Sequence, residues 1–281
     1  MNYRHAFHAG NFADVVKHAL LARVVAHLRN KDAAFRVIDT HAGTGLTDLQ
    51  SEEARRGGEW QSGIGNVAQH LFKADVAALL EPYLSAIKTW NPDDALTCYP
   101  GSPLLIRHWL RPQDRLIACE LEPNAMRALS RNLHGDARVK TIAIDGWTAL
   151  NAYIPPKEKR GLVLIDPPYE QKDELQHAAD AVGAAHRKWP GGTILLWYPI
   201  KDRREIARFS KALSKLGLAK SLQIELSRST ETGTRLRGTG LIVVNAPWTL
   251  QSEAQILLPA LAPVFWPGES SEIRVAPLAL E

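Results

Sequence analysis

The sequence predicts a doubly wound α/β fold, an open and mostly parallel sheet with helices on both faces. Short apolar, β-branched runs recur along the chain, and segments of helical period separate most of them. No repeat or low-complexity linker interrupts the alternation. A chain of 281 residues, 45% of them hydrophobic, can bury a full core, and it reads as one domain spanning residues 1–281.

The elements follow in order. In "NFADVVKHALLARVVAHLRN", Asn11 is a candidate N-cap, and Phe12, Val16, Ala19, Leu20, Val24 and Leu28 share one helical face. "FRVIDTHAGTG" is a short strand that ends at Asp39 and runs into a glycine-rich turn. Further strands are expected at "RLIACEL" (115–121), "RVKTIAID" (138–145), "GLVLID" (161–166), "GGTILLWYP" (191–199), "LQIELS" (222–227) and "GLIVVN" (240–245). Helices are expected over 123–133, 171–188 and 202–216. No helix separates the last two strands, so an antiparallel hairpin is expected to end the sheet.

One spacing is out of line. In open α/β sheets the acid closing the second strand stands about 20 residues after the glycine loop. Here Glu120 lies far beyond that distance from Gly45. The surplus reads as a helical subdomain, residues 48–98, inserted after the first strand: "SEEARRGGEWQSGIG" is loop-like and "AALLEPYLSAIKTW" has helical spacing. "YPGSPLLIRHWL" then restarts the core, with Ser102 at an N-cap and Pro103 first in the helix.

Composition narrows the function. A net charge of +4 and a pI near 9.1 suit a polyanionic partner without requiring one. The two cysteines, Cys98 and Cys119, have no CxxC spacing, which excludes a disulfide framework and a cysteine zinc site. The spacings of His5, His8, His18 and His41 match no common metal-ligand signature, so no metal is expected. The first 30 residues carry charges throughout instead of a signal peptide's apolar run, and no apolar run elsewhere is long enough to span a membrane. A soluble, cytoplasmic protein is expected.

Chemistry gathers at strand ends, because ligands in such sheets bind beyond the carboxyl ends of the strands. Asp39, Glu120, Asp145 and Asp166 all occupy such positions. Each alone is also an ordinary helix N-cap; four together favour a ligand. Gly43 and Gly45 would let backbone approach it, a pattern shared by dinucleotide and other adenosine-containing cofactors.

The discriminating stretch is "GLVLIDPPY", a buried strand halted by an acid, two prolines and an aromatic ring. The exocyclic amine of adenine is a poor nucleophile, since its lone pair is delocalised into the ring. Attack on a methyl group requires acceptors for its two hydrogens. The Asp166 carboxylate and the Pro167 carbonyl can supply them, and Tyr169 can stack on the base. If the donor is S-adenosylmethionine, catalysis is largely orientation and needs no metal. A DNA adenine methyltransferase or a glutamine-N5 protein methyltransferase would use the same acceptors. An NAD-dependent oxidoreductase fits the glycine loop but leaves this motif without purpose, and a noncatalytic RNA-binding protein is a further alternative.

For RNA, Arg204, Arg208, Lys211 and Lys215 share one helical face, which is equally a solvated one, and "SRSTETGTRLRGTG" adds Arg228, Arg235 and Arg237 as phosphate contacts. Lys17 and His18 are either solvent-exposed or in contact with cofactor or substrate, and Lys17 is assigned to RNA.

"FHAGNFADVVKH", "DTHAGTG", "YPGSP", "RGLVLIDPPYE" and "LWYP" together resemble the large-subunit ribosomal RNA methyltransferase J family, from Tyr3 to about Trp248. The resemblance implies a class I (Rossmann-like) S-adenosylmethionine-dependent methyltransferase fold with a small helical insertion. It also implies methylation of N6 of one adenine, adenine 2030, in 23S ribosomal RNA, in a cytoplasmic setting; a monomer is expected. By motif matching, His18, His41, Ser102, Glu120, Asp145, Gly146 and Asp166 correspond to cofactor contacts, Asp166 also to the catalytic acceptor, and Tyr3 to an aromatic that touches the RNA.

Overall fold

The computed structural model describes residues 7–93, 95–171, 173–229 and 236–278. Helix α1 (Phe12–Arg29) starts where the sequence predicts: the Asn11 side chain accepts the N–H groups of Ala13 and Asp14, both at 3.0 Å. Strand β1 (Arg36–Asp39) follows, and then β2 (Leu46–Asp48) leads out of the core into four short helical pieces. These are α2 (Glu52–Gly57), a π-helical turn (Gln61–Gly65), α3 (Asn66–Gln69) and α4 (Ala74–Thr89). The chain returns through β3 (Cys98–Pro100), which pairs antiparallel with β2, Asp48 facing Cys98.

The second part runs α5 (Ser102–Trp109), β4 (Arg115–Glu120), α6 (Pro123–Asn132), β5 (Val139–Ala143), α7 (Gly146–Tyr153), β6 (Gly161–Ile165), α8 (Glu174–Lys188) and β7 (Thr193–Ile200). Then come α9 (Arg203–Ser214), β8 (Leu222–Arg228), β9 (Gly238–Val244), α10 (Leu250–Phe265) and β10 (Ser271–Pro277). The main sheet has the order β10-β8-β9-β7-β6-β1-β4-β5. Strands β5, β4, β1, β6 and β7 are parallel, which is the doubly wound 3-2-1-4-5 arrangement. Strand β9 lies antiparallel between β7 and β8. This is the class I methyltransferase fold that the resemblance implies.

Strand alternation divides the core. Val37, Leu162, Leu164 and Leu195 face α1, α10 and the inserted helices, whereas Ile38, Val163, Ile165 and Ile194 face α7, α8 and α9. All five residues of β6 are buried, as a central parallel strand covered on both faces requires.

Three expectations need correction. The β8–β9 hairpin does not end the sheet: β10 pairs with β8 from Ser271–Arg228 to Pro277–Leu222 and forms the edge. Ser102 is not the N-cap of α5. Gly101, extended at φ −73° and ψ 177°, takes that position and frees the serine hydroxyl for a side-chain partner. Finally α7 and α10 fall outside the expected helices, α10 because Pro259 and Pro263 break its helical pattern.

The inserted helices grip the segment that precedes α1. Ile64 donates its N–H to the Gly10 carbonyl at 2.8 Å. A Cβ on Gly63 would stand 2.1 Å from that same carbonyl oxygen and 2.8 Å from Asn11 Cα. Both neighbours are backbone and cannot swing away. Gly63→Ala is therefore expected to cost about 3 kcal/mol or more in urea unfolding, as overpacking against fixed atoms does.

Candidate active site

The carboxyl ends of β1, β4 and β6 open onto a cleft of about 2120 Å³. The turn after β1 keeps pairing on both sides of the strand: Thr40 N–H donates to the Leu164 carbonyl at 3.0 Å, and Ala42 N–H to the Cys119 carbonyl at 2.9 Å. Gly43 and Gly45 then turn the chain at φ +60° and +80°, conformations that glycine adopts without strain. Gly43 N–H donates to Glu120 Oε2 at 2.9 Å, and Glu122 N–H donates to Oε1 at 2.8 Å. Two backbone donors thus set the orientation of the Glu120 carboxylate.

Asp145 fulfils the ordinary role of an acid after a strand. Its Oδ2 accepts the Thr148 N–H and hydroxyl at 2.8 and 2.9 Å, capping α7. Gly146, next to it, packs against the β1 turn: a Cβ there would lie 2.5 Å from the Thr40 carbonyl and 2.6 Å from the His41 ring. Thr40 Oγ1 donates to Leu164 O at 2.9 Å and lies 2.8 Å from His41 Nδ1. Since its one hydrogen is used, the hydroxyl oxygen accepts from Nδ1–H, and His41 Nε2 is an acceptor. Burial pushes His41 down to a pKa of about 4, so the ring is neutral.

Asp39, fully buried, accepts the Ser102 hydroxyl at 2.6 Å. Its Oδ1 has no partner among the described residues. Burial pushes its carboxyl up to about 7, with Ser102 opposing and the charge of Asp166 adding. An unfolded aspartate loses its proton near pH 3.9, whereas folded Asp39 holds it until about 7. Between those values Asp39 binds more protons in the folded than in the unfolded state, so its contribution to stability falls as pH rises, by on the order of 4 kcal/mol. His41, near 6.5 when unfolded and about 4 when folded, adds a slope of opposite sign over part of the same window. Relative to the native chain, Asp39→Asn is therefore expected to gain about 4 kcal/mol of stability between about pH 4 and about pH 7, read by urea unfolding at both.

Opposite stands the acid of the proline motif. Asp166 Oδ2 accepts from Lys17 Nζ at 2.5 Å, and Lys17 pairs with Asp14 at 2.8 Å on its other side. Asp14 in turn accepts the Gly10 N–H at 2.9 Å. Among the described residues no donor reaches Asp166 Oδ1 or the Pro167 carbonyl. Tyr169, at φ +51°, donates its hydroxyl to the Trp197 carbonyl at 2.6 Å and meets the Trp197 ring edge-on at 5.7 Å. Burial pushes the Tyr169 phenol up, and it stays protonated. Lys17 Nζ lies 5.6 Å from the Trp197 ring centre.

Lys17 therefore has a different place from the one expected. It is 4% exposed, held between two carboxylates, and does not project into solvent as a phosphate contact. His18 is likewise buried, its Nδ1 2.7 Å from the Tyr99 hydroxyl. The Arg237 guanidinium is also turned inward. It donates to the carbonyls of Arg228 and Ser229 at 3.0 and 3.1 Å and lies 3.6 Å from Glu272, so it braces the base of its loop instead of presenting itself to RNA. Tyr3 and Arg235 lie outside the described residues. Asp14, Trp197 and Trp147, which meets His41 edge-on at 5.4 Å, escaped the sequence reading, although Asp14 and Lys17 stand at helical i,i+3 spacing.

Glu120, Asp145, Glu170 and Glu174 line the cleft, and so do His8, Lys201 and Arg228. His8 and Asn11 both bond Glu59 of the inserted helices, at 3.0 and 2.9 Å, and the hydrogen bond to Glu59 raises the His8 pKa. Among the described residues no group of three His, Cys, Asp or Glu could hold a metal ion, and no helix is long and apolar enough to cross a membrane.

Known proteins resemble this arrangement closely. A family model described as ribosomal RNA large subunit methyltransferase D, RlmJ, matches residues 32–275. Ribosomal RNA large subunit methyltransferase J of Escherichia coli strain K12 is 38% identical over 277 residues, 98% of each chain. Its namesake from Haemophilus influenzae Rd is 37% identical over 269 residues, 95% of each chain. The crystal structure of protein LPL1258 from Legionella pneumophila strain Philadelphia 1 superposes with a TM-score of 0.88 at 36% identity, covering 96% of this chain and 98% of that one.

Proposed function

The chain belongs to the ribosomal RNA large subunit methyltransferase J family, and on that basis we propose that it transfers a methyl group from S-adenosylmethionine to N6 of one adenine, adenine 2030, of 23S ribosomal RNA. The observation that carries the choice of atom is the pair of acceptors at the end of β6. Lys17 occupies one oxygen of Asp166 and leaves the other, with the Pro167 carbonyl beside it in sequence, for the two hydrogens of an exocyclic amine. Held by these acceptors, the amine nitrogen shifts toward the pyramidal geometry that attack requires, and Asp166 takes the proton released afterwards. Tyr169 and Trp197 supply the aromatic wall for the base.

The residues on the other side of the cleft fit the cofactor. Asp39 Oδ1, a buried acceptor without a partner, suits an ammonium group. Glu120 offers a fixed carboxylate to ribose hydroxyls, Gly43 leaves backbone open where a Cβ would stand, and Ser102, His18, His41, Asp145 and Gly146 complete the lining. When bound, S-adenosylmethionine supplies an electrophilic methyl group on a sulfonium. A cation suits the carboxylates of Glu120 and Asp145, and an RNA backbone suits Lys201 and Arg228.

The target adenine must be unpaired or turned out of its stack to reach the cleft. An NAD-dependent oxidoreductase is disfavoured by β9, which lies antiparallel where the dinucleotide-binding order 3-2-1-4-5-6 has none. The test is transfer of labelled methyl groups from S-adenosylmethionine to unmodified 23S ribosomal RNA, with duplex DNA beside it. Label on the adenine N6 of RNA alone is expected, and label on DNA or on no nucleic acid overturns the reading.

A further inference from the structure

A buried chain of three polar groups leads from the inserted helices to the cleft. Tyr83 on α4 and Tyr99 on β3 are both 0% exposed, and His18 on α1 is 1% exposed. The Tyr83 and Tyr99 hydroxyls lie 2.9 Å apart, and the Tyr99 hydroxyl lies 2.7 Å from His18 Nδ1, with the two rings stacked at 5.7 Å. Tyr99 is the sole hydrogen-bond partner of the Tyr83 hydroxyl among the described residues. Nothing in the reading of the cleft given above uses either tyrosine.

Hydrogen accounting gives the chain a direction. Each hydroxyl has one hydrogen to place, and buried hydroxyls are rarely left without an acceptor. If Tyr83 donates to Tyr99 and Tyr99 donates to His18 Nδ1, both hydrogens are placed. If instead His18 Nδ1–H donates to Tyr99, one of the two hydroxyl hydrogens has no acceptor, whichever way Tyr99 turns. A doubly protonated ring meets the same obstacle.

We propose that Tyr99 is a positioning residue that fixes His18 as the neutral Nε2–H tautomer, making the ring a hydrogen-bond donor at the end it does not share with Tyr99. His18 lines the cleft. Within S-adenosylmethionine the one anionic acceptor is the methionyl carboxylate, and a neutral N–H donor suits it. That His18 serves this carboxylate rests on the reading of the cleft given above, whereas its tautomer follows from placing the hydroxyl hydrogens of Tyr83 and Tyr99. The inserted segment thereby takes part in cofactor binding through Tyr83 of α4, which orders Tyr99.

The experiment is long-range 15N–1H correlation NMR on the full chain labelled at histidine nitrogen, with the His18 signals assigned by their loss in His18→Asn. A protonated Nε2 and an unprotonated Nδ1 are expected in the native chain. Tyr83→Phe keeps that pattern, because Tyr99 still has Nδ1 as its acceptor. Tyr99→Phe loses it, and calorimetric affinity for S-adenosylhomocysteine falls about tenfold. A protonated Nδ1 in the native chain overturns the inference without recourse to any variant, and so does an unchanged pattern in Tyr99→Phe. A pattern lost in Tyr99→Phe with unchanged affinity overturns the cofactor role of His18 and leaves the rest of the cleft's reading standing.

Discussion

Asp166→Ala is expected to lower methyl transfer to unmodified 23S ribosomal RNA by at least 10²- to 10⁴-fold, the range for losing a positioned proton acceptor. The fold should survive, because Lys17 keeps its pairing with Asp14 at 2.8 Å and β6 is buried independently of the acid that follows it. Asp166→Asn separates two contributions. The amide retains one acceptor oxygen but cannot take the proton from the methylated amine, so its rate should lie close to that of the alanine variant. Single-turnover rates with labelled S-adenosylmethionine measure this, and calorimetry with S-adenosylhomocysteine reports whether the cofactor still binds. Transfer at the native rate in Asp166→Ala would remove the acceptor role and, with it, the reason for assigning an exocyclic amine as substrate.

The strand-end acids were legible in the sequence because β1, β4 and β6 are short, apolar and parallel. Each apolar run therefore stops where its charged residue begins, and Asp39, Glu120 and Asp166 fall together at the carboxyl ends of neighbouring strands. The elements around them were less legible. Strand β10 has a mixed pattern, half-exposed along most of its length, and gains its structure by adding to β8. The N-cap of α5 was misplaced by one residue, since Gly-Ser-Pro offers two candidate caps and only the tertiary partner of Ser102, Asp39 at 2.6 Å, decides between them. Arg237 shows the opposite limit. Its charge was plain in the sequence, but its direction depends on Glu272, which arrives from a strand that the pattern did not reveal.

Lys17 was ambiguous for a related reason. Helical spacing puts it on a face of α1, but α1 is covered on nearly every side, and a lysine there must bring its own counter-charges. Lys17→Met is expected to destabilise the protein by about 3–5 kcal/mol, the cost of leaving a buried charge without its partner. Asp14, 4% exposed, would bear most of that cost, because Asp166 stands at the cleft and can reach solvent more easily. Adding Asp14→Asn should therefore restore most of the stability: the amide oxygen can still accept the Gly10 N–H, and the more deeply buried of the two carboxylate charges is gone. It should not restore methyl transfer, since Asp166 would still lack the ammonium that holds its Oδ2. Burial pushes the Lys17 ammonium down, but Asp14 and Asp166 together hold it above the ordinary lysine range. A raised folded value gives stability that is complete below the unfolded pKa near 10.4 and is lost only above it. Between about pH 4 and about pH 7 the Lys17 contribution is consequently constant, and a pH slope in that window comes from other groups, Asp39 and His41 foremost. Urea unfolding of the native chain, Lys17→Met and the double variant, each with its transfer rate, measures both quantities. A double variant that regains activity along with stability would reduce Lys17 to a structural ion pair.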